Sequence, residues 1–214
     1  MSYFDAAQAY NRILLEKNDG SYQRISAYKV IGTQFLFGDR HPGDMFAPGE
    51  MAKNIQVSYN TYNQEIGLYT SENPNKALVK EAKNVDSFRL RPKGIANVSE
   101  EFVFYNGRVL GAAPNAFYQR MGTGPKYSLF KKYKSVLGVV SANYVDADLR
   151  QFDLESEYYF YNGATHELKR IKPNESSVKK AFPQLTTLSE LFAEYPPTDN
   201  PDLALMQVLN RLND

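Results

Sequence analysis

Hydrophobic positions along the chain follow two different periods. Within residues 3–16, Phe4, Ala7, Tyr10, Ile13 and Leu14 fall close to an i, i+3, i+4 spacing. That spacing predicts a short amphipathic N-terminal helix, closed by the turn-forming run Asn18-Asp19-Gly20. From residue 21 to 172 the period becomes two. Ile55, Val57 and Tyr59 alternate with Gln56, Ser58 and Asn60, and after Tyr62-Asn63-Gln64 the alternation resumes through Ile66, Leu68 and Thr70. Two such runs around a short polar break predict an antiparallel hairpin. Further strands are expected over 26–37, 77–82, 85–91, 101–105, 108–112, 115–120, 126–132, 150–161 and 165–171. Gly38–Gly49, with Pro42, Gly43 and Pro48, reads as a long irregular loop. Phe104-Tyr105-Asn106-Gly107 and Phe160-Tyr161-Asn162-Gly163 each place Asn-Gly after an aromatic run, which predicts type I′ turns.

After residue 173 the period returns to that of a helix. Pro173-Asn174-Glu175-Ser176 opens a first helical stretch, cut at Pro183. Thr187-Leu188-Ser189-Glu190 has the spacing of a capping box and starts a second helix, which ends at Pro196-Pro197. Asn200-Pro201 supplies an N-cap and a first-turn proline for a third, with Leu205, Met206, Leu209 and Leu212 on one stripe. The expected fold is therefore a single mainly β (α+β) domain over 1–214. An antiparallel curved sheet or open barrel (21–172) is flanked by an N-terminal helix (3–16) and a helical C-terminal segment (174–214).

Composition narrows the chemistry. The 214 residues carry 25 Lys+Arg against 24 Asp+Glu, a formal charge of +1, so no dominant field for nucleic acid is expected. No apolar run approaches the ~18 residues of a membrane-spanning helix. Cysteine is absent, which removes disulfides, thiolate metal sites and cysteine nucleophiles. Two histidines, His41 and His166, are too few for a site built mainly of imidazoles. Sixteen Tyr and thirteen Phe accompany no Trp, an aromatic content suited to a sheet. Met1-Ser2-Tyr3-Phe4-Asp5 has no basic segment followed by an apolar one, so it reads either as a cytosolic start or as one replacing a leader.

Few side chains suggest chemistry. Asp39, His41 and Asp44 fall within six residues and are the candidate metal ligands, since carboxylates suit Ca²⁺ or Mg²⁺ and imidazole suits transition metals. Their spacing matches no defined metal motif, and turn geometry accounts for the same residues. His166 beside Glu167 suggests a base with an orienting carboxylate, but neighbours in a strand point to opposite faces. No Gly-x-Ser-x-Gly elbow occurs. Gly122-Thr123-Gly124-Pro125-Lys126 lacks the phosphate-loop spacing and reads as a turn between strands. Lys126, Lys131, Lys132 and Lys134, interleaved with Tyr127, Phe130 and Tyr133, suit an edge strand or a solvated face. Tyr59, Tyr62 and Tyr69 are the candidate ligand-binding residues, an aromatic surface for sugars, lipids or a protein partner.

Several motifs together resemble a family. Gly32-Thr33-Gln34-Phe35-Leu36-Phe37, the Pro/Gly-rich loop, and Ile55 through Tyr59-Asn60-Thr61-Tyr62-Asn63-Gln64-Glu65 resemble the opening of uncharacterised β-rich proteins common in Bacteroidetes. Phe88-Arg89-Leu90, Tyr127-Ser128-Leu129-Phe130-Lys131-Lys132, Tyr158-Tyr159, Leu168-Lys169-Arg170-Ile171 and Ser177 with Lys180-Ala181-Phe182-Pro183 are similar to their later elements. The likeness spans most of residues 25–185. It implies export to the periplasm or cell envelope with a cleaved leader, and brings no established activity.

Three functional readings follow. The first is a non-enzymatic envelope or interaction module presenting a Tyr-rich sheet surface, with no cofactor expected. The second is a carrier holding an apolar small molecule between sheet and helices. The third is a cation-dependent hydrolase using Asp39, His41 and Asp44.

Overall fold

The stretch of period two folds into one open, mixed sheet. The computed structural model describes residues 14–16, 22–24, 29–72, 74–92, 101–139 and 149–214. Its strands are β1 (Leu14–Glu16), β2 (Tyr22–Arg24), β3 (Lys29–Ile31), β4 (His41–Ala47), β5 (Glu50–Asn60), β6 (Glu65–Tyr69) and β7 (Leu78–Glu81). They continue with β8 (Ser87–Leu90), β9 (Phe102–Asn106), β10 (Phe117–Thr123), β11 (Tyr127–Val139), β12 (Leu149–Asn162) and β13 (Glu167–Ile171). The main sheet runs β13-β12-β11-β10-β9-β8-β4-β5-β6-β7, and β3 joins β12 in parallel. Every other pairing is antiparallel, so the chain winds outward from β4 to β7, returns to β4 with β8, and winds outward again to β13.

Several expectations are corrected. Leu14–Glu16, the end of the expected N-terminal helix, is strand β1, which pairs antiparallel with β2. Residues 1–13 and the Asn18-Asp19-Gly20 turn lie outside the described residues. A few apolar positions satisfy a helix and a hairpin alike, and pairing decides between them. The expected loop Gly38–Gly49 contains β4, an interior strand held between β5 and β8. Gly43 is the reason it fits: a Cβ there would collide with the Arg89 carbonyl oxygen of β8 and approach Val57 Cγ2 to 3.1 Å. Pro42 still contributes an acceptor, its carbonyl taking a hydrogen bond from the Arg91 amide at 2.8 Å.

The segment expected as a strand over 108–112 begins as a 3-10 turn, Gly107–Leu110. Neither Asn-Gly pair makes a type I′ turn. Asn106 keeps an extended backbone while its side-chain oxygen accepts from the Arg108 amide. Asn162 accepts from the amides of Ala164 and Thr165, and the left-handed residue of that turn is His166, at φ 57°. In both cases the asparagine side chain takes over the work of the turn. The lysine-rich β11 is not an edge: it lies between β10 and β12.

The sheet rolls without closing. Ser135 of β11 donates its amide to the Thr61 carbonyl just after β5 at 3.2 Å, although four strands separate β5 from β11 in the sheet. Tyr59, Phe88, Phe104 and Phe117 fill the inner face, all essentially inaccessible to solvent. Phe88 stacks on Phe104 at 4.6 Å, and Phe117 meets Phe88 edge-on at 5.0 Å. Each such ring contributes roughly 1.5–3 kcal/mol by burial. Hydroxyl-to-amide links complete this core. The Tyr59 hydroxyl donates to Gln64 Oε1 (2.7 Å) and the Tyr133 hydroxyl to Gln119 Oε1 (2.7 Å).

Beyond Tyr133 the same face is covered by α1 (Glu175–Ala181), α2 (Leu188–Glu194) and α3 (Pro201–Asn213). Leu205, Leu209 and Leu212 of the expected stripe are buried with Leu129, Phe160 and Ile171, while Met206 is half-buried. Asn200 caps α3 as expected, accepting from the Leu203 amide at 3.0 Å. Thr187 makes no side-chain cap for α2, so the capping box is not realised. Two glycines admit α3. A Cβ at Gly122 would press on Leu209 and Met206, and one at Gly124 on the Asn213 side chain. Asn213 then clamps the β10–β11 turn, accepting from the amides of Lys126 and Tyr127 at 2.9 Å each.

Candidate functional site

Alternation along β4 sends the proposed metal ligands to different places. His41 and Gly43 share the inner face, whereas Asp44 lies on the outer one. His41 is 9% exposed, its Nε2 has no hydrogen-bond partner, and burial lowers its pKa against the nearby Leu36 and Phe37 carbonyls and Asp39. Asp44 is bound by the Arg91 guanidinium and by the Asn54 amide (3.0 Å). The Arg91 hydrogen bond is the main reason its carboxyl sits below the usual range. Asp39 lies 4.0 Å from Arg40 Nε. Among the described residues no group of three His, Asp or Glu is placed to hold a metal ion. The second histidine, His166, pairs with the Tyr161 hydroxyl at 2.7 Å.

The three candidate tyrosines do not form one surface. Tyr59 is wholly buried, and burial keeps its hydroxyl protonated far above the usual range. Tyr62 is 40% exposed and meets the Phe152 ring edge-on at 5.5 Å. Tyr69, at the end of β6, is half-buried, and Arg40 lies over its ring at 4.3 Å.

Tyr69 and Arg40 border an open cavity of about 430 Å³, lined also by Asn54, Ile55, Gln56, Thr70, Ser71 and Pro74. Its walls follow from the strands. Gln56 and Tyr69 are direct cross-strand partners, so both side chains rise from one face of the β5–β6 ladder. The β4–β5 register shifts between Gly43 and Met45, and β5 takes up an extra residue there. Asn54 occupies that bulge with a left-handed backbone (φ 53°), a conformation asparagine tolerates. The Asp44 carboxylate anchors it through its amide. Arg40 is fixed from three sides: the Tyr69 ring beneath, the Pro74 carbonyl on Nη1 at 2.6 Å, and Asp39 beside Nε. Among the described residues Nη2 has no partner. A guanidinium over a ring, two residues with side-chain amides and two with hydroxyls thus border one space beside the hydrocarbon of Pro74.

Other spaces differ. A cavity of about 400 Å³ at the opposite end of β6 is lined by Asn63, Gln64, Glu65, Glu81, Lys83 and Asn115 among others, and its Lys83 and Glu81 pair with each other at 2.6 Å. The cavity beside Phe160, Ala181 and Phe182, where sheet meets α1, measures only about 90 Å³. Small-molecule sites usually need about 300 Å³ or more.

Sequence reasoning singled out Tyr69 but missed Asn54, Gln56, Thr70 and Ser71. Arg40 lay unused between two supposed metal ligands. The remaining legible signal was Tyr69 opposite Gln56 once the hairpin register is set. A second aromatic cluster was also missed, formed by Tyr105, Tyr118, Phe130, Tyr159 and Tyr161. Comparison with family models, curated proteins and solved structures finds no match to this chain, so none bears on the resemblance to the Bacteroidetes proteins.

Proposed function

We propose that this protein is a non-enzymatic binding module whose site is the cavity between Arg40 and Tyr69. The observation that carries this reading is the lining: polar groups of several kinds, held on paired strands and an anchored bulge, around a space of small-molecule size. Two groups that could serve acid–base chemistry are committed elsewhere. Asp44 is bound to Arg91, and the Lys131 ammonium bridges to Asp202 at 2.8 Å. The space between sheet and helices is occupied by side chains of the second core, which favours a polar ligand at the surface over an apolar one inside.

Amide chemical shifts of ¹⁵N-labelled protein test the proposal. A set of hydrophilic metabolites at millimolar concentration is expected to move the signals of Asn54–Gln56 and Tyr69–Ser71. The exposed Gln56→Ala variant is expected to weaken the response with an unchanged melting temperature. Shifts produced only by a fatty acid, or mapping to Phe160 and Phe182, would reverse the assignment in favour of a carrier. The periplasmic or envelope location implied by the resemblance belongs to the same proposal, and fractionation of cells expressing the gene reads it out.

A second reading, as a docking surface for a protein, is favoured by the outer face of the sheet. Tyr105, Tyr159 and Tyr161 are only half-buried there, with hydroxyls bonded to Arg120, Glu157 and His166. Surface tyrosines with anchored hydroxyls suit protein contacts. Loss of partner binding on Tyr159→Ala, with the Arg40 cavity left intact, would mark that face as the interface.

A further inference from the structure

We infer that the ligand of the Arg40–Tyr69 cavity is a hydroxylated carboxylic acid of the uronic-acid type, a monoanion on a sugar-like frame. This rests on the preceding reading of the cavity as a binding site and names what it takes. A guanidinium held over an aromatic ring offers its edge as a fork, and a planar carboxylate matches two parallel N–H donors. Arg40 is so held, by Tyr69 and the Pro74 carbonyl, with Nη2 left over among the described residues. Among the described residues Arg40 is also the sole charged one lining the cavity, and the Asp39 carboxylate stands 4.0 Å from its Nε. One positive charge partly offset by a neighbouring negative one suits a single carboxylate and disfavours a phosphate dianion.

The rest of the lining describes the frame that carries the acid. Asn54 and Gln56 each carry a carbonyl oxygen and an amino group, and Thr70 and Ser71 carry hydroxyls. Groups that both donate and accept match alcohols, which also do both. Pro74 supplies hydrocarbon for the C–H face of a ring. A volume of about 430 Å³ admits a saccharide with room to spare, where a lone inorganic ion would leave most of the lining unmet.

Titration of the full chain with D-glucuronate, D-glucose and glucose 6-phosphate, followed by ¹⁵N amide shifts, tests the inference. Glucuronate is expected to bind about ten- to a hundredfold more tightly than glucose, the equivalent of one charged hydrogen-bonded contact. Its signals are expected at Asn54–Gln56 and Tyr69–Ser71, weakening as salt is raised. Arg40→Met is expected to abolish the preference and leave weak binding of both sugars, while Arg40→Lys, which keeps charge but not the fork, restores only part of it. Glucose binding as tightly as glucuronate, unaffected by Arg40→Met, would overturn the acidic ligand and leave the binding module standing. Tighter binding of glucose 6-phosphate would overturn the monoanion. If none of the three probes, nor the wider hydrophilic set, moved these signals, both the inference and the binding site would fall together.

Discussion

Removing the Gln64 side chain should destabilise the protein more than removing the hydroxyl it serves. Tyr59 is fully buried and donates to Gln64 Oε1 at 2.7 Å. The same oxygen accepts a longer bond from the Phe117 amide at 3.4 Å, while Nε2 donates to the Thr61 and Tyr133 carbonyls at 2.8 and 3.0 Å. Tyr59→Phe deletes one donor and leaves Gln64 its three other bonds, a net cost of about 1 kcal/mol. Gln64→Ala strands the Tyr59 hydroxyl in the aromatic core, which costs roughly 1–3 kcal/mol. Removal of the donor from two carbonyls brings the loss to about 2–4 kcal/mol. In the Gln64→Ala background, Tyr59→Phe removes the stranded hydroxyl and should be neutral or stabilising. The two changes are thus expected to be coupled by about 1–2 kcal/mol. Urea denaturation of the four proteins measures this, provided the slope with denaturant stays constant. Additivity within about 0.5 kcal/mol would refute the network and with it the structural role assigned to Tyr59.

Other outcomes follow from the same geometry. Gly43→Ala should lower stability by about 1–3 kcal/mol or more, because β4 and β8 must separate around the Arg89 carbonyl; a change within experimental error in urea would contradict the close approach. Asn213→Ala leaves the Lys126 and Tyr127 amides without their acceptor and should cost about 1–2 kcal/mol, with faster amide exchange at those two positions. The folded protein keeps His41 neutral to lower pH than the unfolded chain does, so the unfolded chain binds the proton first. The contribution is complete above about pH 6.5 and declines as pH falls below it, and His41→Phe should flatten that part of the stability curve. A slope between pH 7 and 5 that is identical in the variant would show that other groups cause it.

The candidate site was harder to read than the fold. The β5–β6 hairpin was legible because alternating residues on both arms obey a rule confined to neighbours in sequence. Its register, Tyr59 against Ile66, then follows from the turn. The stop and start of α3 were legible for the same reason, since Asn200 and Pro201 act within one turn. β4 was hidden. Two prolines and three glycines within residues 38–49 describe a loop by any local rule, and only the approach of Arg89 from β8 shows why Gly43 belongs in a strand. Asp44 looked like a metal ligand because its partner, Arg91, lies far along the chain.

By itself the amino-acid order determined the alternating middle, the helical tail and the absence of thiol chemistry, all properties of composition or of residues a few positions apart. Tertiary structure alone decided that the sheet rolls far enough for Thr61 to meet Ser135, that Tyr59 is core while Tyr69 is lining, and that Arg40 stacks on it. Those outcomes depend on which strands become neighbours and how strongly the sheet curves. Both are set by the joint burial of rings from five strands, a sum that no short window of the chain contains.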